Sequence, residues 1–411
     1  MAIAPSRPRT QRRLPRWKVL APLLGVRRWE RDRLTRRLRR ALTVPDLADI
    51  ARRRTPRSVF EYVDGAAEAG LGLERARQAF ARVEFDARVL RDVASVDTGT
   101  TILGRRADLP LILAPTGFTR MMHHEGEPAV ARAGATAGVP YTLSTMGTTS
   151  PADLMAAAPT GRNWFQLYLW RDRAATLELI ESARAAGYDT LVLTVDTPVA
   201  GNRLRDARNG LTIPPTLNVR TLLDMSRHPS WWANLLTTAP LEFAALRKFD
   251  GTVAELVNTM FDPAVSFEDL AWLRSQWAGN LVVKGLQSVD DVRLVVDAGV
   301  DGIVVSNHGG RQLDRAATPL ELLPAVVDAV EGRCQVFLDT GILSGADIVA
   351  ALGMGADACM VGRAYLYGLM AGGERGVDRA LDILRSEMTR TMQLMGAASV
   401  ADLRGRALLR P

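Results

Sequence analysis

Eight short apolar runs, recurring from residue 111 onward, constrain the fold of this chain more than any other feature. They are Leu111–Pro115, Tyr141–Thr145, Trp164–Leu169, Thr190–Asp196, Leu281–Gly285, Gly302–Asn307, Gln335–Asp339 and Ala358–Gly362. Each is nearly continuous in apolar residues, as a strand buried on both faces must be. Between most of them lies an amphipathic, helix-like stretch such as Ala174–Ala186 or Val289–Ala298. Eight β/α units predict a closed parallel (β/α)8 barrel, the TIM-barrel architecture of the α/β class, rather than an open doubly wound sheet. Upstream, Thr43 with Asp46 three residues later reads as a capping box that opens a helical extension. The expected organisation is a basic arm over residues 1–42 and a barrel domain over 43–411.

In a barrel, function gathers where strands end. The third run ends Gln166-Leu-Tyr168, and the fourth ends Thr194-Val-Asp196 with Arg203 close behind. The fifth ends at Lys284, and the sixth ends Ser306-Asn-His308-Gly-Gly-Arg311. The seventh ends Asp339-Thr-Gly341, and the eighth ends Gly362-Arg363. Polar groups at so many consecutive ends are hard to read as packing. The glycine-bearing ends of the last two runs occupy the usual phosphate position of this fold, where backbone N–H groups can approach an anion and Arg363 can pair with it. No Gly-x-Gly-x-x-Gly or Walker pattern is present, so a mononucleotide or phosphosugar fits better than a dinucleotide. His308, between Asn and Gly-Gly at a strand tip, is well placed for proton transfer. The other three histidines, His123, His124 and His228, show no metal-ligand spacing, so no metal is expected.

The spacing breaks once. From Asp196 to Lys284 is 88 positions, far more than one helix needs. An insertion of about 205–275 therefore follows the fourth strand and lies over the active-site face. It carries His228-Pro-Ser-Trp231-Trp232-Ala-Asn-Leu235-Leu236. These residues either pack on the barrel or meet a lipid surface.

Charge sharpens the picture. Residues 1–40 hold thirteen Arg, one Lys and two acids, which is 14 − 2 = +12. The net charge is +7, so the remainder carries 7 − 12 = −5. The basicity belongs to the arm, which argues against a general nucleic-acid surface. The arm is either a solvated extension or a contact for anionic lipid or an acidic partner. No secretory signal is convincing, because Val19–Val26 is short and contains Pro22 and Gly25. No run of eighteen apolar residues exists. The expectation is a cytoplasmic protein. Cys334 and Cys359, both in apolar runs, read as buried thiols of a reducing compartment.

Ser306-Asn-His-Gly-Gly-Arg-Gln-Leu-Asp314 resembles the signature of the FMN-dependent 2-hydroxy-acid dehydrogenases and oxidases. Phe60-Glu-Tyr62, Ala114-Pro-Thr-Gly117, Leu143-Ser144, Phe165-Gln-Leu-Tyr168, Leu193-Thr-Val-Asp-Thr-Pro198, Val283-Lys-Gly285 and Gly362-Arg363 match in the same order. The insertion is most similar to that of the bacterial respiratory L-lactate dehydrogenases. The resemblance implies FMN as cofactor and His308 as the base, taking a proton from the α-carbon, or from the hydroxyl while hydride moves. Asp196 would orient His308. Arg203 and Arg311 would clamp the substrate carboxylate, with Tyr62 adding a hydrogen bond, and Tyr168 would contact the substrate oxygen. Lys284 would stabilise the reduced, anionic flavin ring. Ala114, Pro115, Thr116, Ser144, Gln166 and Thr194 would hold the ring and ribityl chain. Asp339, Gly341, Gly362 and Arg363 would hold ribityl and phosphate, with Ser306 also on the cofactor side.

The resemblance further implies a small 2-hydroxy acid, L-lactate first, as substrate and a quinone or respiratory carrier as acceptor. The enzyme would be a homo-oligomer, a tetramer by likeness to relatives, held peripherally on the cytoplasmic face of the membrane by the arm and the insertion. The alternative is a soluble oxidase or mandelate-type enzyme using oxygen or another acceptor. Three departures matter. Leu343 stands where many relatives carry a phosphate-side Arg, Met146 where some carry an aromatic, and Val199-Ala200 where Arg-Leu is common. An IMP-dehydrogenase-like chain would need a nucleophilic Cys in a loop, and both cysteines lie in expected strands.

Overall fold

The computed structural model describes residues 14, 16–21, 30–210, 219–244 and 262–410. All eight expected strands form. We label them β1 (Leu111–Leu113), β2 (Tyr141–Ser144), β3 (Asn163–Leu167), β4 (Thr190–Thr194), β5 (Asn280–Leu286), β6 (Gly302–Val305), β7 (Gln335–Leu338) and β8 (Ala358–Val361). They pair in parallel in sequence order and close by pairing β8 with β1. Closure removes both sheet edges.

The two-residue pleat of a strand sorts each run into two sets. Leu111, Leu113, Leu143, Phe165, Leu191, Leu193, Leu281, Val283, Ile303, Val305, Val336 and Leu338 join the large core between strands and helices. Ile112, Trp164, Val192, Val282, Val304, Phe337, Ala358 and Met360 form a separate core inside the barrel. Ile102 and Ala107 from a small antiparallel ribbon, Thr100–Ile102 with Arg105–Ala107, close its lower end. Moving up one pleat from an inward residue gives Ala114, Ser144, Gln166, Thr194, Lys284, Ser306, Asp339 and Gly362. The top layer of the barrel is thus read from every second residue of the same runs.

The helices form near their expected bounds, at Arg173–Ala185 and Val289–Asp297. The Thr43–Asp46 capping box is present at the head of the Val44–Arg54 helix. Helical packing begins before residue 43: Leu34 and Leu38 of the Arg33–Leu38 helix press on Gly372. Much of the remaining arm lies outside the described residues. Cys359 is buried in β8, whereas Cys334 is half-buried and precedes β7 rather than lying within it.

The insertion is described over 204–210, 219–244 and 262–276, and it packs on the barrel rim. Trp231 is 9% exposed and its indole N–H donates to the Met121 carbonyl at 3.0 Å. Trp232 meets it edge to face at 5.3 Å. Phe243 packs on Phe118 with ring centroids 4.1 Å apart. Packing is therefore the outcome for Trp231, while Leu236 on the same Pro229–Leu236 helix stays 74% exposed. Among the described residues no helix is long and apolar enough to cross a membrane.

One irregularity serves the site. The β5–β6 register shifts between Lys284 and Leu286, and Gly285 there takes φ 110°. A Cβ at Gly285 would lie 2.7 Å from Asp196 Cγ and 2.9 Å from its backbone nitrogen. Gly285→Ala combines backbone strain with this clash, so a stability loss of about 1–3 kcal/mol is expected. Thermal unfolding of the purified variant checks it; an unchanged midpoint would show that the bulge can relax.

Candidate active site

The cleft opens on the barrel top and holds about 1450 Å³ of unfilled space, part of it open to solvent. Of the residues singled out from sequence, Tyr62, Ala114, Pro115, Thr116, Ser144, Gln166, Tyr168, Thr194, Arg203, Lys284, His308, Arg311, Asp339, Gly341, Gly362 and Arg363 line it. Asp196 and Ser306 do not line it but contact residues that do, His308 and Lys284 respectively.

His308 sits in the turn after β6 with φ 58°, in the left-handed region that non-glycine residues seldom occupy. Its environment fixes that conformation. Its backbone N–H donates to Ser306 Oγ at 3.0 Å, and the Gly309 N–H donates to Thr340 Oγ1 at 3.0 Å. The Gly310 N–H donates to Asn307 Oδ1 at 2.9 Å. His308 Nδ1 lies 2.9 Å from Asp196 Oδ1, and the Asp196 side chain is almost wholly buried. Burial pushes the His308 imidazole below its ordinary pKa, with Lys284 and Arg203 acting in the same sense against the pull of Asp196. Burial acts to raise the Asp196 carboxyl, but His308, Lys284 and a backbone hydrogen bond together outweigh it and hold the pKa below its usual range. The free dyad is therefore a neutral imidazole against a carboxylate, with Nε2 left for other work.

Arg311 is pinned by hydrogen bonds from Nη1 to the carbonyls of Tyr62 at 2.5 Å and Gly65 at 3.2 Å. Its guanidinium lies 5.0 Å from the Tyr62 ring centroid, in a cation–π contact. Burial, then the neighbouring Arg203, brings its pKa down to about 9. Arg203 Nε is buried without a partner. Two close cations in one cleft wall call for an anion, and a planar carboxylate suits their forks. Burial raises the Tyr168 phenol, which lies near Asp196 and Tyr62.

On the other wall Lys284 Nζ is 3.0 Å from Asp339 Oδ2 and donates to Ser306 Oγ at 3.0 Å. Burial disfavours its charge, yet Asp339 and Asp196 raise its pKa above the ordinary value. The lysine is thus a fixed buried cation. Ser144 Oγ donates to Gln166 Oε1 at 3.1 Å, while Gln166 Nε2 and Thr194 Oγ1 are buried without partners. Buried donors are normally satisfied, and both residues line the cleft, which leaves these atoms available to a ligand's acceptors. Fixed donors, a cation and the glycine-bearing ends of β7 and β8 in one wall suit a flavin mononucleotide. Arg363 lines this end while donating to the carbonyls of Val63 at 3.0 Å and Gly65 at 2.7 Å.

Some cleft residues had no separate signal. Thr340 holds the His308 turn at φ 77°. Gln312 Nε2 donates to the carbonyls of Asp196 at 3.1 Å and Val199 at 2.9 Å, tying the loops after β4 and β6 together. Gln312 lies inside the 306–314 motif, so its position is visible in the sequence though its role is not. Leu343 lines the cleft as expected, and Arg77 joins the same wall through Gly341 O and through Asp347 at 2.7 Å. The absence of metal-ligand spacing needs amending: His123, His124 and Glu125 bring three donor atoms within 4.8 Å of one another.

The model of the FMN-dependent dehydrogenase family matches residues 51–410. The chain belongs to that family. FMN is thus its cofactor, and the unpartnered donors above fit it. A putative L-lactate dehydrogenase of Mycobacterium tuberculosis is 56% identical over 392 residues, 95% of each chain. An L-lactate dehydrogenase of Xanthomonas campestris is 40% identical over 89% of this chain and 96% of its own. Among solved structures, the monotopic membrane protein (S)-mandelate dehydrogenase has TM-score 0.86 at 35% identity, covering 90% of this chain and 100% of that one. A mandelate oxidase has TM-score 0.78 at 39% identity, covering 90% and 99%.

Asp339→Asn would leave Lys284 buried with its nearest charge partner gone. Breaking a buried pair costs about 3–5 kcal/mol. Chemical denaturation should show a loss of that order; a loss under about 1 kcal/mol, the range of exposed pairs, would mean that Asp196 and Ser306 suffice to hold the ammonium.

Proposed function

We propose that this enzyme oxidises a small 2-hydroxy acid, L-lactate to pyruvate, and passes the electrons to a quinone or respiratory carrier. The observation that carries the reading is the His308–Asp196 pair at 2.9 Å in a cleft shared with Arg203 and Arg311. Arg203 and Arg311 receive the substrate carboxylate, with Tyr62 alongside. Tyr168, kept protonated by burial, donates to the substrate oxygen. His308 Nε2 takes the proton, and Asp196 stabilises the imidazolium that forms. FMN, when bound, supplies the two-electron acceptor. Lys284 and the donors of Ser144, Gln166 and Thr194 hold the ring, while Asp339, Gly341, Gly362 and Arg363 serve the ribityl-phosphate end.

The names of the relatives favour lactate. Met122, Met146 and Ala200 on the cleft wall favour a second reading, because flexible or small residues there accept larger side chains such as that of mandelate. The quinone reading rests on attachment at a membrane surface on the cytoplasmic side. The arm carries the charge for an anionic leaflet. The Pro229–Leu236 helix offers Leu236, with Leu235 half-buried beside it, on the active-site face. A relative described as a monotopic membrane protein supports this.

His308→Gln should keep FMN and lose flavin reduction by L-lactate by roughly 10²–10⁴-fold. Because the base must be neutral and its folded pKa is depressed, wild-type kcat/KM should hold through pH 6.5 and fall only at lower pH. A variant as fast as wild type, or an acid limb above pH 6.5, would remove His308 from the role.

The acceptor reading is tested by turnover with a soluble quinone and with oxygen, alongside sedimentation with anionic vesicles. Quinone turnover well above oxygen turnover, and vesicle binding lost with the arm, are expected. Equal turnover without vesicle binding would favour a soluble oxidase.

A further inference from the structure

A second polar slot lies between the Pro229–Leu236 helix and the barrel rim, apart from the His308 dyad. Arg54, Arg120, His123, His124, Ser230 and Asn234 line it, around a narrow space partly open to solvent. Arg54 is half-buried at the end of the Val44–Arg54 helix, and among the described residues no hydrogen bond or ion pair reaches its guanidinium. His124 Nδ1 is buried without a partner, as is Nη1 of Arg37 nearby. The Arg120 guanidinium is held by the Ala239 carbonyl at 2.5 Å and the Pro240 carbonyl at 3.4 Å, which leaves its charge uncancelled.

The charges around the slot repel. His123 is brought down to about 3 by burial, then by His124 and Arg54. Burial and Arg54 both lower Arg37, with only Asp32 acting against them. The two nearby acids already have partners, Asp32 outside the slot and Glu125 at its edge. Asp32 accepts from Thr35 at 2.7 Å and Arg375 at 2.6 Å. Glu125 Oε2 accepts the Glu374 N–H at 2.7 Å and lies 3.8 Å from His123 Nδ1. A half-buried cation with no counter-charge is costly.

We propose that this slot is an oxyanion site of phosphate class, with Arg54 as its principal cation. An arginine fork matches a phosphate group bidentately, and Ser230, Asn234 and His124 add hydrogen-bonding groups around it. The same place holds the metal-type donors His123, His124 and Glu125. A divalent cation there would meet the unpaired guanidinium of Arg54 as a like charge, so the anion is favoured. Two sources share this chemistry. One is free phosphate or a small phosphorylated solute. The other is the headgroup of an anionic lipid, which exposed Leu236 on the covering helix would bring close. The proposal rests on no part of the reading of the His308 cleft.

The test uses the full FMN-loaded chain, so that the cofactor site is filled. Inorganic phosphate, compared with chloride at equal ionic strength, should raise the thermal midpoint of wild type and Arg54→Lys but not of Arg54→Gln. The flavin of Arg54→Gln should still be reduced at the wild-type rate, which shows that the variant folds. Vesicles of phosphatidylcholine with and without phosphatidylglycerol separate the sources. Binding that needs phosphatidylglycerol, weakens on the order of tenfold in Arg54→Gln and is competed by phosphate identifies a headgroup site. Phosphate stabilisation without vesicle binding identifies a free anion. No phosphate effect in wild type, an equal effect in Arg54→Gln, or stabilisation by Zn²⁺ that His124→Gln abolishes would overturn the proposal.

Discussion

The two-residue period of a strand in a closed barrel is the constraint on which the rest depends. Once Ile112, Trp164, Val192, Val282, Val304, Phe337 and Met360 fill the interior, the residue two positions on from each must face the barrel top. Those positions hold the neutral donors of Gln166 and Thr194, the Lys284 cation and the Asp339 carboxylate. A register slip of one residue in any strand would send its site residue into the helix layer and an aliphatic side chain into the cleft. The site is therefore as rigid as the barrel core beneath it, which favours preorganised chemistry.

Charge is then arranged by depth. Lys284 is buried and needs Asp339, and Asp196 is buried and needs His308. Arg203 and Arg311 crowd together, and Arg311 also leans on two carbonyls and the Tyr62 ring. Carboxylates back the lysine and the histidine, whereas no ion pair answers either arginine among the described residues. On the proposed reading, that asymmetry separates a cation kept for a ring from cations kept for an incoming carboxylate. The left-handed backbone at His308 and Thr340 belongs to the same design, since a hydrogen bond from the Gly309 N–H to Thr340 Oγ1 ties the β6 and β7 loops together.

Much of this was legible in the sequence, because closed-barrel strands announce themselves as short apolar runs and their ends announce themselves as polar interruptions. All eight strands were visible, and sixteen of eighteen chosen site residues line the cleft. What stayed hidden depends on contacts distant in sequence. Ser306 reads from sequence as a cofactor-side residue, and its support of Lys284 and of the His308 turn appears only in the fold. Gly285 belongs to the Val283-Lys-Gly285 motif, yet its close approach to Asp196, 89 positions away, has no local sign. Trp231 was ambiguous because an indole suits both a lipid boundary and a protein rim, and only the Met121 carbonyl decides between them. The His123–Glu125 grouping escaped because adjacent residues on a loop match no helical ligand spacing.

The most direct measurement is anaerobic mixing of the FMN-reconstituted chain with L-lactate, read at the flavin absorbance with the keto acid quantified in the same sample. The account predicts that the chain takes up FMN, that the oxidised flavin band bleaches, and that one pyruvate appears for each flavin reduced. A chain that fails to retain FMN, or a bound flavin that stays oxidised with both L-lactate and L-mandelate, would contradict it.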